Sequence, residues 1–237
     1  MRHNPLKTSF LTFSLLALAS LTGLSLSSCS QDSQKNSTVS SQQNSAKNSP
    51  ASAPVVAQKA EQNNAHNMEM MNLGPADDNY DLRFIDAMIP HHQGAVEMAN
   101  QLQKNSTRPE MKKLAADIIT AQEKEIQQMQ QWRKQWYPQA NSQAMMHDNH
   151  TGHTMPMSDD IHNKMMMQMN LGAADSEFDL RFINAMIPHH EGALIMAQDV
   201  LNKSKRPEMR QLADEIISSQ KAEIDQMKQW RQTWYKQ

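Results

Sequence analysis

From Phe84 onward the apolar positions fall at helical spacing: Phe84, Met88, His91, Ala95, Met98 and Leu102 lie three or four apart, with Ile85, Ile89, His92, Val96 and Ala99 beside them. So broad a stripe predicts an amphipathic helix with one face in a core. Asn105, Ser106 and Thr107 interrupt it, and Ser106 or Thr107 can cap the next helix, whose first turn tolerates Pro109. A second stripe, Leu114, Ile118, Ala121, Glu125, Met129, Trp132 and Trp136, ends near Pro138.

Both stripes recur. Asp81 to Ala95 reappears as Asp179 to Ala193, each position 98 residues later (His91 as His189). The match continues without a gap through Arg108-Pro109-Glu110-Met111 against Arg206-Pro207-Glu208-Met209, and on to Trp132 and Trp136 against Trp230 and Trp234. The second helix of the copy runs from about Pro207 to Tyr235. The unit is therefore a duplicated helix hairpin. One hairpin alone leaves most of its stripe wet, so two are expected to merge into an all-α four-helix bundle with a shared core. Helices of about 27 residues are roughly 40 Å long. A connector over 139–174 can cross that length either way, so the pattern leaves open how the hairpins face each other.

Ahead of the repeats, Arg2 and Lys7 precede an apolar run from Phe10 to Leu26 and then Ser27-Ser28-Cys29. This reads as a secretory signal over 1–28 whose cleavage leaves Cys29 as a lipidated first residue; the alternatives are a plain signal peptide or a short membrane anchor. Residues 29–67 are mostly Ser, Gln, Asn, Ala and Lys, too polar to offset their ordering entropy, and are expected to form a flexible linker. The first hairpin is then 68–138 and the second 175–237. The expected location is outside the cytoplasm, on a membrane and facing the periplasm.

Among its 237 residues the chain has 20 Met and 10 His but 1 Cys, and its net charge is -2. It has no basic arm, so nucleic acid is not an expected partner. With Cys29 lipidated, no thiolate is left for a disulfide or a metal.

The His pairs are the first candidate chemistry. Met88 neighbours both His91 and His92 on the helix surface, with Met98 further along the His91 face; the second copy repeats this with Met186, His189, His190 and Met196. The plain alternative is hydrogen-bonded core histidine. Pro90 and Gly94 both weaken a helix, and bracketing the pair they suggest a local opening or a close approach; a tight helix crossing explains them as well. Glu125 and Glu223 are carboxylates on apolar stripes. A hairpin turn centred between Asn105 and Ser106 places Glu125 beside Asp86 and Met88, where a histidine or a metal would satisfy it, unless it reaches water.

The connector is the second candidate: Met145, Met146, His147, His150, His153, Met155, Met157, His162, Met165, Met166, Met167 and Met169. A shorter version, His66, Met68, Met70 and Met71, precedes the first unit. Thioethers are soft and do not titrate, so clustered Met favours copper(I) or silver(I), whereas imidazole also accepts copper(II) and zinc. Met in a polar loop is not expected to be core, and deleting this stretch is expected to spare the fold. Its alternative use is a Met-rich surface for another protein. An imidazole of ordinary pKa, near 6.5, predicts metal binding that weakens from about pH 7 to pH 5.

The repeated Phe-Ile-x-Ala-Met-Ile-Pro-His-His-x-Gly-Ala segment, with a following Met-Ala pair and a helix ending in Trp, resembles a bacterial family of ferritin-like four-helix domains, domain of unknown function 305. The likeness covers about residues 68 to 237, and in tandem form it resembles periplasmic copper-binding members. It implies a ferritin-like bundle and ligands among Met88, His91, His92, Met98, Met186, His189, His190 and Met196, with the connector suited to the same ion. The lipid signal has no counterpart in the resemblance and rests on the residues alone.

Three functions follow. A non-enzymatic protein that buffers, delivers or confers tolerance to copper accounts for the Met and His, and implies a copper-receiving protein partner. A di-metal oxidase would draw on Glu-x-x-His motifs, which the core helices lack. A scaffold lipoprotein would leave the His pairs unexplained.

Overall fold

The computed structural model describes residues 71–237. Cys29, the signal, the linker and His66, Met68 and Met70 lie outside the described residues. Tyr80–Asn105 forms α1 and Pro109–Trp136 forms α2. The connector contains strands β1, Met145–His147, and β2, Thr154–Pro156, then helix α3, Asp159–Met166. Phe178–Lys203 forms α4 and Pro207–Trp230 forms α5, which winds on as a π-helical turn over Arg231–Tyr235. The fold is all-α, of the ferritin-like bundle type.

Each hairpin turn is built the same way. Arg108 and Arg206 occupy the cap positions before Pro109 and Pro207, and neither makes a side-chain capping bond. Ser106 and Ser204 act from two residues back, their Oγ accepting the Arg108 and Arg206 N–H at 3.1 and 3.2 Å. Ser106 thus satisfies a turn rather than capping α2, because Pro109 fixes the helix start.

The hairpins face each other about a pseudo-two-fold axis. Arg206 reaches Asp81 at 3.2 Å and stacks over Trp136 at 4.3 Å; Arg108 reaches Asp179 at 3.3 Å and stacks over Trp234 at 4.3 Å. Each turn therefore latches onto the start of the other hairpin's first helix, which makes α1 and α4 antiparallel. The core obeys the same exchange. Phe84, Ile85, Met88 and Met129 cluster with Met196, Met209, Leu212 and Ile216. Their repeat counterparts Phe182, Ile183, Met186 and Met227 cluster with Met98, Met111, Leu114 and Ile118. Neither hairpin has a core of its own.

Arg83, almost wholly buried, donates to the Leu73 and Pro75 carbonyls at 2.6 and 2.7 Å and pairs with Asp77. Arg181 repeats this clamp with Leu171, Ala173 and Asp175. Arg83 alone adds a bond to Thr154 Oγ1, at 2.6 Å, and so ties the connector down. Asp86, held by Arg133, also accepts the Met145 N–H at 2.8 Å.

The connector is therefore not the dispensable loop its polarity suggests. Met157 and Met165 are 2% and 3% exposed, and Met165 belongs to the core cluster of Phe84 and Met88. Removing one such side chain from a core costs about 2–5 kcal/mol. Ser158 Oγ starts α3 by accepting the Ile161 N–H at 3.3 Å, and this helix lies against α1.

Candidate metal site

His91 and His189 meet where α1 and α4 cross. Their ring centroids are 3.9 Å apart at 49°, and both side chains are buried. His92 and His190 flank them, with centroids 6.4 and 6.2 Å from their chain neighbours. His92 Nε2 lies 2.7 Å from Glu125 Oε2, and His190 Nε2 lies 2.6 Å from Glu223 Oε2. A carboxylate can only accept, so Nε2 carries a proton in each ring, and in a neutral ring Nδ1 is left with the lone pair.

Glu125 was expected beside Asp86 and Met88. It faces His92 instead, further along α1, while Arg133 takes Asp86. A histidine does satisfy each carboxylate, so neither depends on reaching water.

The remaining nitrogens lack partners. His189 Nε2 lies 3.2 Å from the Met166 carbonyl, which fixes its proton there. Both nitrogens of His91, and Nδ1 of His92, His189 and His190, are buried without a hydrogen-bond partner. Buried polar atoms are normally paired, and leaving one bare is costly. An electron-pair acceptor would satisfy the lone pairs among them, one on each neutral ring, so the residues fit a metal ion. Among the described residues no three His, Cys, Asp or Glu side chains group to hold one. Thioethers on the same helices are the further candidate donors: Met88, Met98, Met186 and Met196 are all fully buried in the two core clusters.

The two glycines are sites of close approach. A Cβ on Gly94 would lie 1.8 Å from the Met166 carbonyl oxygen. On Gly192 it would meet the Met71 Cε at 2.3 Å and lie within 3.4 Å of His91 Nε2. Met71 thus covers one side of the His pair and the Met166 backbone the other. The repeat counterpart of Met71 is Met169, which is 53% exposed, so the covers break the symmetry that the core keeps. Met71 was legible only as part of the Met cluster before the first unit.

Burial is the main cause that holds the His91 imidazole well below its usual protonation range, aided by His189, His92 and His190. Burial likewise pushes His189 down to about 3, with His190 and His92 adding to it against the Met166 carbonyl. Both rings are thereby held neutral to a lower pH than an exposed imidazole. Protons therefore compete for them less than for an ordinary imidazole.

The connector residues divide. Met145, Met146, His147, His150, Met155, Met157 and Met165 line one cavity. His153, His162, Met167 and Met169 do not, and Met166 meets the His pair through its backbone.

Residues 81–231 match the family described as Domain of unknown function (DUF305). CopM in the Cu(I)-bound form is 41% identical, with a TM-score of 0.52, covering 65% of this chain and 97% of that one. CopM has also been solved in Cu(II)-bound, Ag-bound and apo forms. A DUF305 fragment from Deinococcus radiodurans is 27% identical, with a TM-score of 0.51, over 65% of this chain and 95% of that one. The uncharacterized protein L153 of Acanthamoeba polyphaga mimivirus is 45% identical over 49 residues, 21% of this chain and 32% of the viral protein. The chain thus spans about a third of that curated relative.

Proposed function

For a chain that belongs to the DUF305 family, we propose a non-catalytic role in binding copper(I) outside the cytoplasm, for buffering, delivery or tolerance. The observation that carries this is the buried His91–His189 pair, whose rings meet at a tilt of 49° without hydrogen bonds enough to satisfy them. Copper(I) and silver(I) accept both neutral imidazole and thioether, the two donor types concentrated here; copper(II) suits the imidazoles alone. CopM, solved with each of these metals, supports the same class of ion. His91, His92, His189 and His190 would hold the ion together with thioethers from Met88, Met98, Met186 and Met196. Glu125 and Glu223 position two of the rings.

The test is a copper(I) competition titration against a chromophoric chelator. His91→Ala with His189→Ala is expected to weaken binding at least tenfold, equivalent to about 1.4 kcal/mol. Met88→Leu with Met186→Leu nearly preserves volume at under about 1.5 kcal/mol per site, so the bundle stays folded while affinity falls. Unchanged affinity in both variants would remove the bundle site.

Lipid attachment at Cys29 would hold this function at a membrane, where a copper-accepting protein can collect the ion; no described helix is long and apolar enough to cross one. Fractionation of cells is expected to place the unsubstituted protein with membranes and Cys29→Ser in the soluble or unprocessed pool, since stable anchoring takes two lipid signals. An unsubstituted protein that is soluble after export would rule the anchor out.

A further inference from the structure

We propose a second soft-metal site, distinct from the His pair, in the cavity between the connector hairpin and α1, where His147 and the surrounding thioethers hold copper(I) or silver(I). It rests on the bundle reading only for the identity of the ion.

The cavity has a volume of about 550 Å³. Its thioethers come from Met145 and Met146 on β1, Met155 on β2, Met157 just after it and Met165 on α3. Methionine that fills a core leaves no such space, because its flexible chain closes irregular gaps. Here Met145, Met146, Met155 and Met157 border an opening instead, together with the core-packed Met165. Met146 and Met155 are directly opposed across the hairpin, and such cross-strand pairs hold their Cβ atoms about 4.5–5.5 Å apart.

His147 adds the observation that core packing does not explain. Its ring lies so close to Gly74 that a Cβ there would come within 2.4 Å, and Gly74 has φ +78°, so the position is doubly reserved for glycine. Backbone and ring approach this closely, yet the His147 Nδ1 is buried with no hydrogen-bond partner.

The charges bordering the cavity permit a cation. Asp148 stands at the rim, accepting the His150 N–H and the Thr151 hydroxyl, and Asp160 is paired with Lys164 at 2.6 Å. Arg83 also borders the space, but four of its five donors are taken by the Leu73 and Pro75 carbonyls, Asp77 and Thr154. Uncharged thioethers with the imidazoles of His147 and His150 select a soft monovalent ion over calcium, which favours hard oxygen ligands, and suit it better than zinc, for which no thiolate or carboxylate is offered among them. The donor set differs from that of the bundle, where imidazole predominates, so the two sites can be emptied separately.

The experiment is a silver(I) titration of the full chain carrying 13C-methyl methionine, followed by NMR and by counting tightly bound equivalents. In the unsubstituted protein the Met146, Met155 and Met157 methyl resonances are expected to shift. They are expected to shift equally in His91→Ala with His189→Ala, which loses a different equivalent. Replacing Met145, Met146, Met155 and Met157 by Leu together with His147→Gln is expected to remove one equivalent; Met165 is kept because it packs in the core. Cavity methyls that stay still at silver saturation of the unsubstituted protein overturn the site, whether or not the multiple variant folds. So does an unchanged number of equivalents in a folded multiple variant. Loss of an equivalent there, with none lost in the His variant, would leave the cavity site standing and refute the bundle site.

Discussion

Lowering the pH from 7 to 5 is expected to destabilise the metal-free protein, by roughly 2 kcal/mol through His189 and further in the same direction through His91. Both rings are held neutral in the fold, His189 down to about 3, chiefly by burial. In the unfolded chain they titrate near 6.5. The unfolded state therefore binds more protons below that value. The stability these residues support is intact above about pH 6.5 and falls as the pH drops toward 3. Carboxylates titrate over part of this range too, so the comparison is with His91→Leu with His189→Leu, which leaves them in place. Urea unfolding at pH 7 and pH 5 is expected to give a midpoint shift in the unsubstituted protein that the variant largely lacks. Equal shifts in the two proteins would mean that the rings take up protons in the fold.

Gly94→Ala is expected to cost about 3 kcal/mol, whereas Gly192→Ala is expected to stay within about 1 kcal/mol of the unsubstituted protein. The two glycines are repeat counterparts and would be interchangeable if only the helix crossing mattered. A methyl group at 94 runs into the Met166 carbonyl, a backbone atom that moves only if α3 moves, and that movement also breaks the contact with His189 Nε2. At 192 the obstacle is the far end of the Met71 side chain, which can swing aside. Alanine also gains about 1 kcal/mol of helix propensity at either position. The unequal cost thus isolates the connector's contribution. Denaturation midpoints of the three proteins, with limited proteolysis across 139–174, would check it. Equal midpoints for the two variants would show that α3 yields as freely as a side chain.

The helices and their duplication were legible because the apolar stripe repeats at constant spacing, and Phe84, Met88, Met98 and Leu102 are all buried as the stripe requires. Pro90 and Gly94 marked the place of close approach, but the pattern could not say what approaches, since Met166 arrives from far along the chain and through its backbone. Glu125 was visible as a buried-side carboxylate, yet its partner depended on the hairpin register. That register is set by Ser106 and Pro109 and not by the stripe. The connector was the least legible part. Met157 and Met165 lie in a Met-dotted polar stretch with no period to distinguish them from exposed Met155 and Met169, and only tertiary packing separates the two groups.

The axis between His91 and His189 makes their meeting point a property of two copies rather than of one. A lone hairpin of this kind could build it only by finding an identical partner, so occupancy of the centre would depend on protein concentration. Fusion into one chain replaces that search with a permanently high effective concentration. It also frees the halves from matching. A homodimer must wear the same cover on both sides of its axis, whereas this chain sets a methionine side chain over one ring and a backbone carbonyl over the other. Joined copies can therefore close a symmetric centre with two different covers.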